Sequence, residues 1–266
     1  MRIHITGVYG LIGNLVYTHL SQQPQRYDLY GSGRRRVSSQ RADEQSITRL
    51  PDDHFAIADL SDAEAIASAI DGMDAVLHIG AVPDPSSSFD DVLSSNVRGT
   101  YNVLEACRLA GVKRLVYASS IMVNWGYFQF QEPYRAIREQ RFADVPASIP
   151  MITHMDLPRP TEPYSASKVW AEALCRTYFD AHALSTICLR IGWVNKENHC
   201  FRPEVNSVWC GNRDIVDIFE RALEATEERL FDICYALSES KYRWVDREHT
   251  YQRLGFMPQD KTDDVV

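Results

Sequence analysis

Seven residues close to the start of the chain constrain its fold more than any other stretch. Gly7-Val8-Tyr9-Gly10-Leu11-Ile12-Gly13 follows directly on Arg2-Ile3-His4-Ile5-Thr6, whose alternation reads as a short strand. Leu11, Ile12, Leu15, Val16, His19 and Leu20 then recur at helical spacing. Strand, glycine turn and helix in that order suit one task. Gly7 permits the tight turn, Gly10 lets backbone approach a pyrophosphate, and Gly13 lets the helix pack on the strand, with the phosphates at the helix N-terminus. The stretch therefore points to a bound dinucleotide, touched by Gly7, Tyr9, Gly10, Leu11, Ile12 and Gly13.

The rest of the chain reads as strands alternating with helices, the pattern of a doubly wound parallel α/β sheet. Tyr27-Asp28-Leu29-Tyr30 reads as the second strand, ending at Gly31-Ser32-Gly33-Arg34-Arg35-Arg36. In dinucleotide folds an acid at this strand end binds the ribose 2′-hydroxyl of NAD, whereas Arg accommodates the 2′-phosphate of NADP. Asp28 comes too early, and Ser32, Arg34 and Arg35 occupy the place, so NADP is preferred over NAD. His54 to Leu60 reads as the third strand, with Asp59 and Leu60 at its carboxyl end near the adenine, and Asp62 to Ile70 as a helix. Ala75-Val76-Leu77-His78-Ile79 is a near-continuous apolar run, as in a strand covered on both faces. Ile79, Gly80 and Ala81 would leave it beside the cofactor, with Val82 towards the substrate. A helix over residues 89–110 holds Asn96, and Arg114 to Ala118 forms a strand ending at Ser119-Ser120.

Residues 124–163 break the rhythm with aromatics, prolines, Arg135, Arg138, Arg141 and Arg159. A connection this long and irregular is usually functional. Its arginines would either hold a carboxylate or phosphate or form a solvated face. A helix from Tyr164 to about Ala181, a strand from Thr186 to Gly192, a helix from Asn212 to Thr226, a strand near 230–237 and a short helix ending at Phe256 follow, with a polar tail from Asp260 to Val266 expected to fray. The 266 residues suit a single domain. Its dinucleotide-binding core would span about 1–123 and 164–192, with a substrate-side insertion at 124–163 and a small C-terminal substrate-binding cap at 193–266.

Tyr164 and Lys168 lie four apart, on one face of their helix. An ammonium beside a phenol favours the phenolate and lowers a pKa of roughly 10, which makes Tyr a usable general acid or base.

Composition excludes several other classes. A net charge of −8 and a pI near 5.5 argue against nucleic-acid or anionic-membrane partners. No apolar run approaches a membrane span and no signal-peptide pattern opens the chain. Six cysteines without a C-x-x-C pair imply a reducing, cytoplasmic compartment. His199, Cys200 and Cys210 match no common zinc spacing, so no metal is expected. The expected partner is a small-molecule substrate.

Taken together, these motifs resemble the extended short-chain dehydrogenase/reductase superfamily, in its NAD-dependent epimerase/dehydratase group. The likeness covers nearly the whole chain. It rests on Thr6-Gly-Val-Tyr-Gly-Leu-Ile-Gly13, Asp59-Leu60, His78-Ile-Gly-Ala81, Asn96-Val-Arg-Gly-Thr100, Ser119-Ser120, Tyr164-x-x-x-Lys168, Leu189-Arg-Ile-Gly192 and the closing Arg253-Leu-Gly-Phe-Met-Pro-Gln259. Within the group the chain resembles short sugar dehydrogenases of the uronate and archaeal glucose-6-phosphate kind.

That resemblance implies roles. Tyr164 would move the proton, and Lys168 would tune it and hold the nicotinamide ribose. Ser120 would bond the substrate oxygen, and Asn96 would complete the catalytic set. Ile191 would pass beside the nicotinamide, while Val82, Ser120, Ile121, Met122 and Arg190 would meet substrate. Ile121 and Met122 stand where the sugar dehydrogenases have Asn and His, and apolar side chains cannot hydrogen-bond a sugar. Residues 193–266 are too few for the large C-terminal domain that grips a nucleotide sugar, so a small substrate is expected. The reaction implied is hydride transfer between nicotinamide and the hydroxyl or carbonyl carbon of a small sugar, sugar acid or sugar phosphate. The alternatives are a sugar epimerase or dehydratase and, from another class, a non-catalytic dinucleotide sensor. A homodimer through the helices near 90–110 and 165–181 is a further implication.

Overall fold

The computed structural model describes residues 1–42, 44–226 and 230–262. Seven strands form one parallel sheet in the order β3-β2-β1-β4-β5-β6-β7. They are β1 (Arg2–Thr6), β2 (Asp28–Gly33), β3 (Phe55–Ile57), β4 (Ala75–His78), β5 (Arg114–Ser120), β6 (Ser185–Ile191) and β7 (Phe231–Ala236). Every pairing is parallel, so all carboxyl ends share one edge; the crossovers run through α-helices except that from β2 to β3, which has only two single 3₁₀ turns among its described residues.

Alternation along each strand divides the core into two layers. Ile3, Ile5, Leu77, Val116, Ile187 and Leu189 face the helices Leu11–Leu20 and Asn212–Glu224. Val76, Leu115, Tyr117 and Cys188 face the helices Ala63–Ile70, Gly99–Ala110 and Pro163–His182. A third apolar cluster lies beyond the sheet edge. Ile121, Phe128, Tyr134, Ile137, Ile152, Val208 and Trp244 meet there.

The structure revises several expected boundaries. The second strand runs on through Gly31, Ser32 and Gly33, because Gly31 lies against Val8 where a Cβ would sit 2.8 Å from Val8 Cγ1. The 124–163 insertion is less irregular than expected, with helices at Trp125–Phe130 and Tyr134–Arg138. The C-terminal portion is only partly a cap. Ile215, Ile218, Phe219, Cys234, Ala236, Leu254 and Phe256 belong to the same buried cluster as Ile3 and Ile5, so most of residues 212–256 complete the sheet. The tail is tied down to Thr262, whose amide donates to the Glu239 carbonyl at 2.9 Å; the fraying expected at 263–266 concerns residues outside those described.

Two buried histidines on β1 and β4 set an acid limit on the fold. His4 Nε2 pairs with the Ser32 hydroxyl at 2.8 Å, and His78 lies between the Thr6 and Thr100 hydroxyls at 2.9 and 3.1 Å. Burial lowers His4 to about 4 and His78 to about 3, the latter helped by the charge of Lys168. Both are neutral at pH 7. Between pH 6.5 and these values the unfolded chain binds protons that the native state refuses, so stability is full above 6.5 and falls as pH drops. His4 alone accounts for roughly 3 kcal/mol of that loss by pH 4. Urea unfolding at pH 7 and pH 4.5 should show a steep loss in the wild type and a visibly smaller one in His4→Gln; equal slopes would dismiss this origin.

Candidate active site

The glycine turn reaches its conformation through glycine and threonine together. Gly7 has φ +67°, and a Cβ there would lie 2.7 Å from Gly80 Cα. The turn after β1 and the turn after β4 therefore touch through backbone alone. Thr6 locks them, because its hydroxyl accepts from the Ile79 and Gly80 amides at 3.1 and 2.9 Å while pairing with His78 Nδ1. Gly10 caps the Leu11–Leu20 helix without a side chain, leaving its first amides to an anion. A Cβ on Gly13 would strike Gly7 O. This cradle fits a dinucleotide diphosphate, and Gly7, Gly10, Leu11, Ile12 and Gly13 would hold it.

The neighbouring strand ends extend that edge. Arg34 and Arg35 are exposed just past β2. Asp59 follows β3; burial pushes its carboxyl up, but bonds from the Ser61 amide and hydroxyl and the charge of Arg34 outweigh this and lower it. Leu60 packs against Gly99 and its carbonyl accepts from Asn102 at 2.8 Å. Ile79, Gly80, Ala81 and Val82 are all part-exposed, and Ile191 ends β6.

Tyr164 and Lys168 start the Pro163–His182 helix. Pro163 occupies its first turn and a reciprocal capping box joins Glu162 to Ser165, which fixes the entry angle. The Ser120 hydroxyl, at the end of β5, caps the turn that follows by accepting from the Met122 amide at 3.2 Å, and it neighbours the Tyr164 phenol closely enough to favour its ionised form. Lys168 Nζ donates to the Ala118 carbonyl at 2.7 Å and sits 4.8 Å from the Tyr117 ring centre and 5.7 Å from that of Tyr164. The expected depression of the phenol is not what this geometry produces. Burial pushes Tyr164 up, against the neighbouring Ser120 hydroxyl, which pulls it down; the cation is held over the ring by Ala118, not at the hydroxyl. Burial also lowers the Lys168 ammonium to about 8, opposed by the charge of Glu172.

Glu172, one turn beyond Lys168, is buried and joins the two strands beneath the site. The register sets Ser119 beside Arg190. Glu172 accepts from the Ser119 hydroxyl at 2.5 Å and from Arg190 Nε and Nη2 at 3.0 and 2.8 Å. Arg190 Nη1 donates to Asn124 Oδ1 at 2.8 Å and to the Tyr235 hydroxyl at 3.1 Å.

Known proteins resemble this arrangement. The NAD dependent epimerase/dehydratase family model matches residues 3–198. The chain belongs to that family. It is 31% identical to an L-arabinose 1-dehydrogenase (NAD(P)(+)) from Haloferax volcanii, over 79% of this chain and 84% of that one. It is 29% identical to an NAD-dependent glucose-6-phosphate dehydrogenase from the same organism, over 97% and 93%. A solved uronate dehydrogenase from Agrobacterium tumefaciens superposes with a TM-score of 0.77 at 25% identity, covering 98% of this chain and 85% of that one.

For a member of the epimerase/dehydratase family, several expected site residues do other work here. Arg190 is 1% exposed and committed to Glu172, Asn124 and Tyr235, so it does not fit as a substrate contact. Ile121 is buried in the cluster with Phe128 and Tyr134, which leaves Met122 as the part-exposed residue of that pair. Asn96 lies in a π-helical turn, Val92–Arg98; its amide group brackets the Val82 backbone at 2.8 and 3.1 Å and donates to the Ser167 hydroxyl at 3.2 Å. It positions the loop after β4 and is not placed as a catalytic group. The Ser32 hydroxyl is turned to His4, inside the strand, away from a cofactor. Tyr9 stacks on Phe55 and its hydroxyl accepts from the Leu50 amide, so only its backbone borders the cradle.

Three of the insertion's four arginines form a solvated, ion-paired face, while Arg159 donates to Gln131 at 3.2 Å and lies over the Tyr127 and Phe130 rings. Arg135, Arg138 and Arg141 pair with Glu132, Glu139 and Asp144. Sequence reasoning missed Glu172, Asn124 and Tyr235; the one available signal was the four-residue step from Lys168 to Glu172. It also missed Asp232, Cys234 and His249, whose ligand atoms lie within 4.8 Å of one another on the far side of β7. Asp232 is already paired there with His249 and Arg253, each at 2.6 Å. Among the described residues no helix is long and apolar enough to cross a membrane.

A buried charge pair is costly to break and cheap to replace whole. Arg190→Met should lower stability by about 3–5 kcal/mol, and Glu172→Leu similarly, while the double variant loses far less than the sum. Urea midpoints of the three variants check this. A normally stable Arg190→Met protein with only a raised KM would restore the substrate-contact role.

Proposed function

We propose that the protein is an NAD(P)-dependent dehydrogenase acting on a hydroxyl-bearing carbon of a small sugar, sugar acid or sugar phosphate. The observation that supports this best is the meeting of buried Tyr164, Ser120 and Lys168 at one strand end, with Lys168 Nζ 5.7 Å from the Tyr164 ring centre. The names of the relatives, sugar dehydrogenases using NAD or NAD(P), favour the same reading. When bound, the nicotinamide supplies the hydride acceptor or donor.

The residues divide the remaining work. Ser120 and Tyr164 orient the substrate oxygen, and Val82 and Met122 border the sugar. In the reductive direction the neutral phenol, which burial favours, gives its proton to the carbonyl oxygen as hydride reaches the carbon. In the oxidative direction the ionised Tyr164 takes the hydroxyl proton, and the Ser120 hydroxyl favours that phenolate. Asn96 and Thr6 hold the loop after β4 against this edge.

NADP is the proposed cofactor over NAD. Arg34 and Arg35 stand past β2, and Asp28, the acid of that strand, is paired with Arg2 at its opposite end. A homodimer is proposed through the helical face bearing Leu93, Tyr101, Leu109 and Trp170, all exposed. Six free, buried thiols favour the cytoplasm.

Two measurements test the reading. Absorbance of reduced nicotinamide with a sugar panel should show turnover that Tyr164→Phe cuts by about a thousandfold with cofactor Kd nearly unchanged. Tight cofactor binding with no turnover of any sugar would reject the dehydrogenase. Separately, Arg34→Ala should weaken NADP by roughly tenfold and leave NAD almost untouched; equal effects on both would remove the NADP preference.

A further inference from the structure

The arginines that a sugar acid or phosphate would need are spent elsewhere. Arg190 is closed by Glu172 beneath the site. The insertion's Arg135, Arg138 and Arg141 serve its own carboxylates. Arg34 and Arg35 stand at the adenine end of the edge.

Arg41 is placed differently. The segment after β2 passes over the glycine turn, where the Ser39 amide donates to the Tyr9 carbonyl at 2.9 Å. It then reaches the loop after β4, where Arg41 Nη2 lies 3.5 Å from Asp84 Oδ2, both side chains 54% exposed. Asp84 is two residues beyond Val82, which Asn96 brackets. Asn96 in turn donates to Ser167, whose hydroxyl donates to the Tyr164 carbonyl at 2.6 Å. This short chain of contacts brings Arg41 to the reacting end of the groove, and its positive charge is felt at the Tyr164 phenol, pulling it down.

An exposed, single-contact ion pair at 3.5 Å exchanges readily for another anion. We infer that Arg41 leaves Asp84 to bind the carboxylate or phosphate of an anionic sugar, so that the Arg41–Asp84 pair selects charged over neutral substrates. This rests on the dehydrogenase reading above. The named relatives include enzymes for both charged and neutral sugars, so one exposed arginine is a reasonable place for the choice to be made.

The test compares a hexuronate, a hexose 6-phosphate and a neutral aldopentose. In Arg41→Gln the ratio of kcat/KM for charged over neutral sugar should fall at least about tenfold, through KM, and in Asp84→Asn it should rise. An unmoved ratio, or a wild type that accepts neutral sugars alone, overturns the inference while the dehydrogenase stands. Calorimetric titration of NADP and NAD without sugar forms a second arm. A loss in Arg41→Gln seen there, with the ratio unchanged, assigns Arg41 to the cofactor diphosphate and overturns the substrate role. If the wild type turns over no sugar, titration of hexuronate into the protein–NADP complex decides. Binding that Arg41→Gln weakens at least about tenfold supports the site apart from catalysis, and no binding rejects it.

Discussion

An ammonium with 3% of its surface exposed cannot persist in a protein interior without partners, and Lys168 has only a few. Its proton is held by the Ala118 carbonyl and its charge faces Tyr117, while Glu172 stands one helical turn below. Burial still wins, since the ammonium falls to about 8. The neighbourhood is therefore poised, with a cation whose protonation is responsive near neutrality beside a phenol that burial keeps neutral. Everything packed around Lys168 acts through that balance. Glu172 is gripped by Arg190, and Arg190 is kept in place by Asn124 and Tyr235. One buried guanidinium thus ties β6 to β7, to the helix of Lys168 and to the start of the insertion.

The sheet shows how such polar matter is tolerated. One face is aliphatic from Ile3 to Leu189. The other carries His4, Thr6, His78 and Tyr117 under the helices that bear Asn96 and Tyr164. Thr6 and His78 form a connected hydrogen-bond line to Thr100, with Thr6 also holding the loop that borders the cofactor cradle. Polar residues are thus concentrated on the catalytic side of the sheet, where satisfying them also fixes the loops.

The fold was legible because parallel strands announce themselves. Ala75 to His78 is buried on both faces and apolar but for its last residue, and the glycine turn after Thr6 has few other uses. That Tyr164 and Lys168 share one helix and that Ser120 closes a strand could be read from spacing and order. What escaped was whatever depends on partners distant in sequence. Gly31 and Gly33 look like a turn, yet Gly31 is required inside β2 by Val8. Arg190 follows a strand-end pattern that suggests a ligand, but its meaning rests on Glu172, an unexceptional glutamate in any helix. The π-helical turn at Val92–Arg98 has no periodic signature, although it is what lets Asn96 face Val82. The division of core and cap was misread for the same reason, since the amphipathic helix Asn212–Glu224 does not declare which cluster it will cover.

Charge economy connects these misreadings. An arginine fully satisfied by a buried carboxylate has no free capacity for a substrate, and moving it would expose the cost of an unpaired ion. Specificity for a charged ligand is better placed on a pair that is weak in the free protein, because less must be broken on binding. Arg190 belongs to the first kind, with its partners at 2.8–3.1 Å and almost no exposure. Arg41 and Asp84 belong to the second, at 3.5 Å and half exposed. On the proposed reading the chemistry is anchored by buried charges on a helix and the strand beside it, while selection falls to exposed charges on the loops, away from the packed Tyr164–Lys168 pair.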